Sequence, residues 1–392
     1  MQDNKDIDLT IIGNVKMADG IGQHLPMFLQ ALHQDLAINA LQLPPTPYKE
    51  VPREAMQILI KPFNGFGKVA FWTFILGLNE GMIEKHKSII SPIKIAFSVF
   101  ESSQIPKLWT KILNECYDLV VVPDQYLVNV YYSSGVRIPI FVIPLGIEIE
   151  NLLEQPIKTK ANNIFTFGMT AGYWNRKNHI KLLQAFGKQF GNNSKFKLKL
   201  HGRFGSFQSS VEQAVGAANY SNVELLSGPL SSQAYNDWMS SLDCYVFPSQ
   251  GEGFSITPRE AMALGLPTII SNNSVHKTIC NTGLVIPLKS NIKVPAKYEI
   301  FNNQTIGYYD DCNVSDLANL MQDAFLNYEK HLEKAQERKD WVKQFLWPNL
   351  KKTYINLFKP KELVLGKNNL VNEEIFQTSD KKLFNKMKEV FK

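Results

Sequence analysis

"DCYVFPSQGEGFSITPREAMALGLPTIIS" runs from Asp243 to Ser271. An apolar run from Cys244 to Phe247 leads into a loop carrying Gly251 and Gly253, then an amphipathic stretch, then a second apolar run ending at Ile270. Strand, turn, helix and strand in that order form the βαβ unit of a parallel sheet. The glycines let the backbone approach a ligand, and amides at the start of the helix suit a phosphate. Pro258, after Thr257, is expected to open the helix, where its missing N–H costs nothing. One carboxylate, Glu252, precedes the turn, and a second, Glu260, lies in the first helical turn. Thr257-Pro258-Arg259-Glu260 also fits an S/T-x-x-E capping box, with Glu260 bonding back to the Thr257 N–H. Both readings of Glu260 stay open at this level.

The same alternation extends in both directions. Ahead of the unit stand strand "NIFTFGM", helix "NHIKLLQAFGKQF", strand "FKLKLHG", helix "SSVEQAVGAANY", strand "NVELLSG" and helix "SSQAYNDWMSSL". The first half reads likewise: strand "DLTIIG", a glycine turn feeding helix "GIGQHLPMFLQALHQDL", strands "KVAFWTFI" and "IKIAFSVF", helix "PKLWTKILNECY", strand "DLVVVPD", a helix around "QYLVNVYYSSG" and strand "IPIFVIPLG". A polar, proline-containing segment, "IEIENLLEQPIKTKANN", separates the halves and suits a domain crossing. The chain therefore divides into two Rossmann-like domains, 1–150 and 151–335, a further stretch at 336–360, and a basic amphipathic tail at 361–392. The fold class is α/β, two doubly wound domains facing a cleft beyond the carboxyl ends of their strands.

Composition agrees with a large folded protein. The 392 residues exceed one ordinary core, and 44% hydrophobic with 20% charged residues argues against disorder. The net charge of +6 permits anionic partners without selecting one. Four scattered cysteines make no zinc spacing and fit free thiols in a reducing compartment. The acidic N-terminus is unlike an export signal. "GKVAFWTFILGLNEGMIEK" is interrupted by Lys68 and Glu80, about half the run a membrane span needs, so Val69 to Ile75 reads as a buried strand.

Taken with "DCYVFPS", the block "GEGFSITPREAMALGLPTIIS" resembles the E-x7-E signature of retaining, nucleotide-sugar-dependent glycosyltransferases of GT-B fold, family 4. "GIG" after the first strand, the stretch from "FESSQIPKLWTKILNECYDLVVVPD" to "IPIFVIPLGIE", and "NRKNHIKLLQAF" agree in order. The resemblance spans residues 8 to 358 and implies that 1–150 is the acceptor-side domain, that 151–335 binds the nucleotide sugar and that 336–360 crosses back to the first domain. It implies that Glu252 contacts donor-sugar hydroxyls, that amides around Gly253, Phe254, Ser255 and Ile256 hold the diphosphate, and that Glu260 takes the ribose diol. Lys177 would neutralise the departing diphosphate, the charge such an enzyme most needs to stabilise; alone, it is equally a solvated lysine before a helix. Arg176 beside it is expected to point elsewhere. Gly20 and Gly22 would bring the first helix close to the donor phosphates, although a plain turn explains them equally. Glu101, ending "IAFSVFE", faces the cleft and is the first-domain candidate for a catalytic residue touching acceptor or donor. His24 reads as a packed or solvated histidine.

The departures are specific. Gly172-Tyr173-Trp174 stands where relatives carry Gly-Arg, so Arg203 in "LHGRFG" is a substitute phosphate ligand or else a surface arginine. Ser255 and Thr257 replace Gly and Pro. The family's same-face chemistry lets the leaving phosphate take the acceptor proton, so no separate base is required and no metal or other cofactor is expected; Asp6 and Asp8 enter the first strand, and Asp310-Asp311 lie in a polar loop. The expected partners are a UDP- or GDP-linked hexose and a glycan or lipid-linked acceptor in bacterial surface polysaccharide synthesis, in the cytoplasm. In the tail, Leu383, Phe384, Met387, Val390 and Phe391 share a helical face opposite lysines, a pattern that suits a membrane surface or docking on the protein itself.

Other classes fit less well. An NAD-dependent oxidoreductase wants a third glycine that "GNVKMADGIGQH" lacks at the required spacing. A nucleic-acid-binding protein wants clustered basic and aromatic residues, and the lysines are dispersed outside the tail. A non-catalytic relative that keeps the nucleotide site as a partner subunit is the remaining alternative.

Overall fold

Short β-branched and aromatic runs, buried on both faces, give two parallel sheets in the computed structural model, which describes residues 6–16, 20–44, 50–359, 383, 385–387 and 389–390. The first sheet contains β1 (Leu9–Gly13), β2 (Ile38–Gln42), β3 (Val69–Trp72), β4 (Ile93–Phe97), β5 (Leu119–Val122) and β6 (Ile140–Val142), in the spatial order β2-β1-β3-β4-β5-β6. The second contains β7 (Phe165–Thr170), β8 (Phe196–Gly202), β9 (Val223–Ser227), β10 (Cys244–Phe247), β11 (Thr268–Ser271) and β12 (Ile286–Leu288), in the order β12-β11-β10-β7-β8-β9. Every pairing in both sheets is parallel. The order of the second sheet reverses between β7 and β10, the place where a doubly wound sheet opens a ligand crevice.

Several elements differ from the sequence reading. Edge strand β2, "INALQ", is half-buried throughout and has no apolar run to announce it. Strand β3 ends at Trp72, before the expected Ile75. Asp310 and Asp311 sit in a strand, not a loop: β13 (Ser290–Tyr298) and β14 (Gln304–Cys312) form an antiparallel hairpin. Asp310 pairs with Lys293 opposite it at 2.6 Å, while Asp311 accepts from Asn178 Nδ2 at 2.9 Å and Lys181 Nζ at 2.5 Å. Those partners hold both carboxylates in the ladder.

The hairpin leaves the second domain and docks on the first. Ser102 Oγ donates to the Ile306 carbonyl at 2.6 Å, the Ser103 N–H donates to the Tyr308 carbonyl at 3.1 Å, and the Phe100 and Tyr298 rings lie 4.9 Å apart. At the far end, helix Trp347–Phe358 packs against first-domain helix His24–Leu32, with the Phe28 ring 5.1 Å from Trp347 and 4.9 Å from Tyr354.

In the tail, Leu383 and Met387 are buried in the main core, and Lys386 Nζ lies 2.5 Å from Asp118 Oδ1. These residues dock on the protein's own surface. Phe384 and Phe391 lie outside the described residues. No helix among the described residues is long and apolar enough to cross a membrane.

Candidate active site

Two adjacent cations are delivered by a short 3-10 turn, Asn175–Lys177, after β7. Asn178 then takes a left-handed conformation, φ 62°, that breaks this turn from helix His179–Gln189. Its amide Nδ2 donates to the Pro248 carbonyl at 2.8 Å and to Asp311, tying the turn to the loop after β10 and to the hairpin. That loop presents Glu252. Its Oε1 accepts from Lys177 Nζ at 2.6 Å, Arg176 Nη1 at 2.9 Å and Ser249 Oγ at 2.6 Å, while its backbone N–H donates to Ser274 Oγ at 2.9 Å.

Arg176 does not point away as expected. The break at Asn178 removes it from the face of the following helix, and its Nη2 reaches Glu101 Oε1 of the first domain at 2.9 Å. Glu101 lies in the loop beyond β4, and its Oε2 accepts from the Tyr298 hydroxyl of the hairpin at 3.4 Å. One guanidinium thus joins both domains, with the hairpin beside it.

Electrostatics follow from burial. Removal from water would raise the Glu252 pKa, but the Lys177 and Arg176 charges outweigh it and bring it down to about 2. Burial, and then the Arg176 charge, lower Lys177 to about 8 in spite of Glu252. Arg176 is held above its ordinary value by Glu252 and Glu101, against its own burial. The cluster is therefore an ionised carboxylate gripped by two cations, of which Lys177 has its pKa brought down to about 8.

Glu260 forms a second pole. Its helix is Ile256–Ala263, and the residue in the cap position is Ser255, at φ 70°, not Thr257. Starting one residue before Thr257, the helix makes no capping box: Thr257 Oγ1 accepts from the Tyr245 hydroxyl at 2.7 Å, and Glu260 Oε2 accepts from the Tyr235 hydroxyl at 2.5 Å. Pro258 accordingly falls within the first turn rather than at its start. Burial raises the Glu260 pKa, opposed by the Tyr235 hydrogen bond and by the Arg203 charge. Arg203, half-buried after β8, lies 5.4 Å over the Tyr235 ring, so it faces this pole rather than open surface.

The remaining candidates occupy the span between the poles or its rim. A side chain at Gly253 would meet Val99 at 3.1 Å, and one at Gly251 would run into the Glu101 carbonyl, so both glycines let the first-domain loop close over the site. Phe254 is buried against Phe345, ring centroids 5.7 Å apart, and Ile256 is the first helical residue. Gly22 is required because a Cβ would strike the Lys16 carbonyl at 2.6 Å, in a turn closed by the Lys16 N–H and Gly22 carbonyl. Gly20 is exposed in the same turn, and among the described residues a Cβ added at either glycine would not meet Glu252 or Lys177. That turn does reach the second domain, where Lys16 Nζ lies 4.8 Å over the Phe204 ring beside Arg203. His24 is packed, as expected, against the Thr73 carbonyl at 3.3 Å.

Arg259, His276 and Tyr298 are among the site residues that escaped the sequence reading. Arg259, fully buried, donates to the Phe254 carbonyl and, at 2.9 Å, to the Ser255 carbonyl. His276 meets Ser255 Oγ, and Tyr298 meets Glu101. Only Arg259, an arginine among small apolar residues next to Glu260, carried any signal.

Residues 161–296, which contain both poles, match the family model of the group 1 glycosyl transferases. HepE of Anabaena, solved in complex with UDP and glucose, superposes with a TM-score of 0.63 at 12% identity, over 89% of this chain and 98% of that one. The fold is GT-B. Among curated proteins, putative glycosyltransferase 45 of a Sulfolobus islandicus filamentous virus is 24% identical over 252 residues, 64% of this chain and 67% of its own length. The lipopolysaccharide core biosynthesis mannosyltransferase LpsB of Rhizobium meliloti is 31% identical over 86 residues, only 21% of this chain and 24% of its own length. These comparisons support glycosyltransferase activity, and they place the matched family region on the GT-B domain that carries Glu252 and Glu260.

Proposed function

We propose that this GT-B protein is a retaining, metal-independent transferase that moves a hexose from a UDP- or GDP-linked donor to a hydroxyl of a glycan or lipid-linked acceptor. The observation that carries the reading is the pairing of Glu252 with Lys177 and Arg176 at the carboxyl ends of β7 and β10, with Glu260 at the far end of the same loop and helix. In that arrangement the sugar hydroxyls face Glu252, the diphosphate lies against Lys177, Arg176 and the Gly253–Ile256 amides, and the ribose diol faces Glu260. A carboxylate accepts two vicinal hydroxyls well. During transfer the bond from sugar C1 to the β-phosphate oxygen breaks, the acceptor oxygen bonds to C1 on the same face, and the acceptor proton passes to the departing phosphate. Lys177 and Arg176 stabilise the charge that develops there.

UDP in HepE and lipopolysaccharide core synthesis by LpsB support a uridine donor and a cell-surface acceptor for this chain, used on the cytoplasmic side of the membrane. Calorimetric titration with UDP, GDP, ADP, CMP and NAD, without and with magnesium, tests the donor site. Saturable binding of one diphosphate without metal, followed by turnover of the matching sugar nucleotide to an α-linked product in EDTA, is the expected result. Binding of NAD alone, or an inverted product, overturns it.

A further inference from the structure

Ser255 stands at the start of the helix that would receive the diphosphate, in a backbone conformation ordinarily left to glycine: φ 70°, ψ 75°. A serine there is strained unless its surroundings hold it. Two groups do so. The Ser255 hydroxyl lies 2.6 Å from His276 Nε2, and the Ser255 carbonyl accepts from Arg259 Nη1 at 2.9 Å. His276 begins the short helix His276–Cys280 beyond β11 and is wholly buried, its ring 5.7 Å from Phe247 of β10. Arg259 is clamped as firmly, its guanidinium 4.0 Å over Phe254 and 4.6 Å over Phe345.

Resting on the donor-site reading above, we infer that His276 is a positioning residue for the nucleoside diphosphate. Through the Ser255 hydroxyl it locks the left-handed turn that presents the 255–257 amides, doing for this chain what the free rotation of a glycine would do. Burial keeps the imidazole neutral, with its pKa near 4, so the contact is an ordinary hydrogen bond in either tautomer and is unchanged across the neutral range. Without His276 the hydroxyl of Ser255, a residue 7% exposed, loses its partner, and the residue relaxes toward negative φ, turning the amides away. A glycine at 255 has no hydroxyl to anchor and no Cβ to strain, so it gains nothing from His276.

The test is a double-mutant cycle read by calorimetry with UDP, GDP and ADP, using whichever binds the wild-type protein. His276→Ala is expected to weaken that diphosphate about tenfold when residue 255 is serine and by less than about twofold in the Ser255→Gly background. Should His276→Ala fail to fold, Ser255→Ala, which keeps the Cβ and removes only the hydroxyl, must bind more weakly than Ser255→Gly. Equal losses from His276→Ala in both backgrounds, or equal affinities of the two Ser255 variants, overturn the inference. If the wild-type protein binds none of the three nucleotides, the donor-site reading falls and takes this inference with it. If it binds one and His276→Ala binds that one equally well, the inference alone falls.

Discussion

Lys177 Nζ and Glu252 Oε1 lie 2.6 Å apart, and Arg176 Nη1 lies 2.9 Å from the same oxygen, all three side chains largely withdrawn from water. A carboxylate so placed keeps two buried cations from repelling each other, and in the proposed donor site it would also orient the sugar. Glu252→Gln preserves shape and removes the charge. Steady-state assays with the matched donor should show kcat/KM down by about 100-fold or more. Thermal unfolding should register a loss of about 3 kcal/mol, because breaking one side of a buried pair leaves the other uncompensated. Full activity in this variant would remove Glu252 from the site.

Lys177 gives the site a pH limit on the alkaline side. Its pKa, brought down to about 8, means that the charge proposed to face the diphosphate is present below that pH and lost above it. Donor affinity should therefore fall by about tenfold per pH unit once the pH exceeds 8. Calorimetry between pH 7 and 9.5 measures it. Lys177→Arg, always charged, should flatten the profile, and an unchanged profile in that variant would assign the titration elsewhere.

On the proposed donor site, Glu260 would serve nucleoside recognition apart from phosphate recognition. Among the described residues its carboxylate accepts from the Tyr235 hydroxyl and from no loop amide. Glu260→Ala should weaken the nucleoside diphosphate by about tenfold, the worth of one charged hydrogen bond, and leave inorganic pyrophosphate unaffected. A helix cap would behave differently, lowering stability and both affinities together.

How legible the molecule was in its sequence follows from what each feature depends on. The parallel strands, the two-domain division and the Glu252–Glu260 spacing are local, written as apolar runs and turn residues. The direction of Arg176 is not local: it follows from the αL break at Asn178, which Asp311 and the Pro248 carbonyl hold from 133 and 70 positions away in sequence. The Thr257 capping box failed for the same reason, since Tyr245 claims the Thr257 hydroxyl and Tyr235 claims Glu260. The hairpin was missed because its alternation is broken by two register shifts and because its buried face is covered by the other domain. Distant partners leave no periodic trace.

Buried histidines set the acid limit of the fold. His24, His86 and His276 have pKa values lowered by burial to about 4, and His179 to about 3, against 6.5 for the free side chain. The unfolded chain binds protons from pH 6.5 downward that the folded chain refuses until about pH 4. Stability is thus highest above 6.5 and falls through that window, by about 1.4 kcal/mol per pH unit for each histidine. Glu252 extends the loss below pH 4.5, because its folded pKa lies near 2. Urea titrations at pH 7, 6 and 5 should show falling midpoints, and His86→Gln, distant from the proposed donor site, should reduce the slope by about one proton.

The docked tail makes the last prediction. Leu383 and Met387 are 6% and 3% exposed and belong to the main core, and Lys386 reaches Asp118 at the start of β5. Burying a leucine contributes about 1.5–3 kcal/mol, whereas an exposed ion pair adds about 1 kcal/mol at most. Leu383→Asp should therefore release the segment, lower the urea midpoint and expose it to trypsin, while Lys386→Ala should do little. Neither change touches Lys177, Glu252 or Glu260, so diphosphate affinity should hold in both. A tail whose apolar face served lipid instead would behave in the opposite sense: Leu383→Asp would leave stability in buffer unchanged and abolish sedimentation with anionic vesicles.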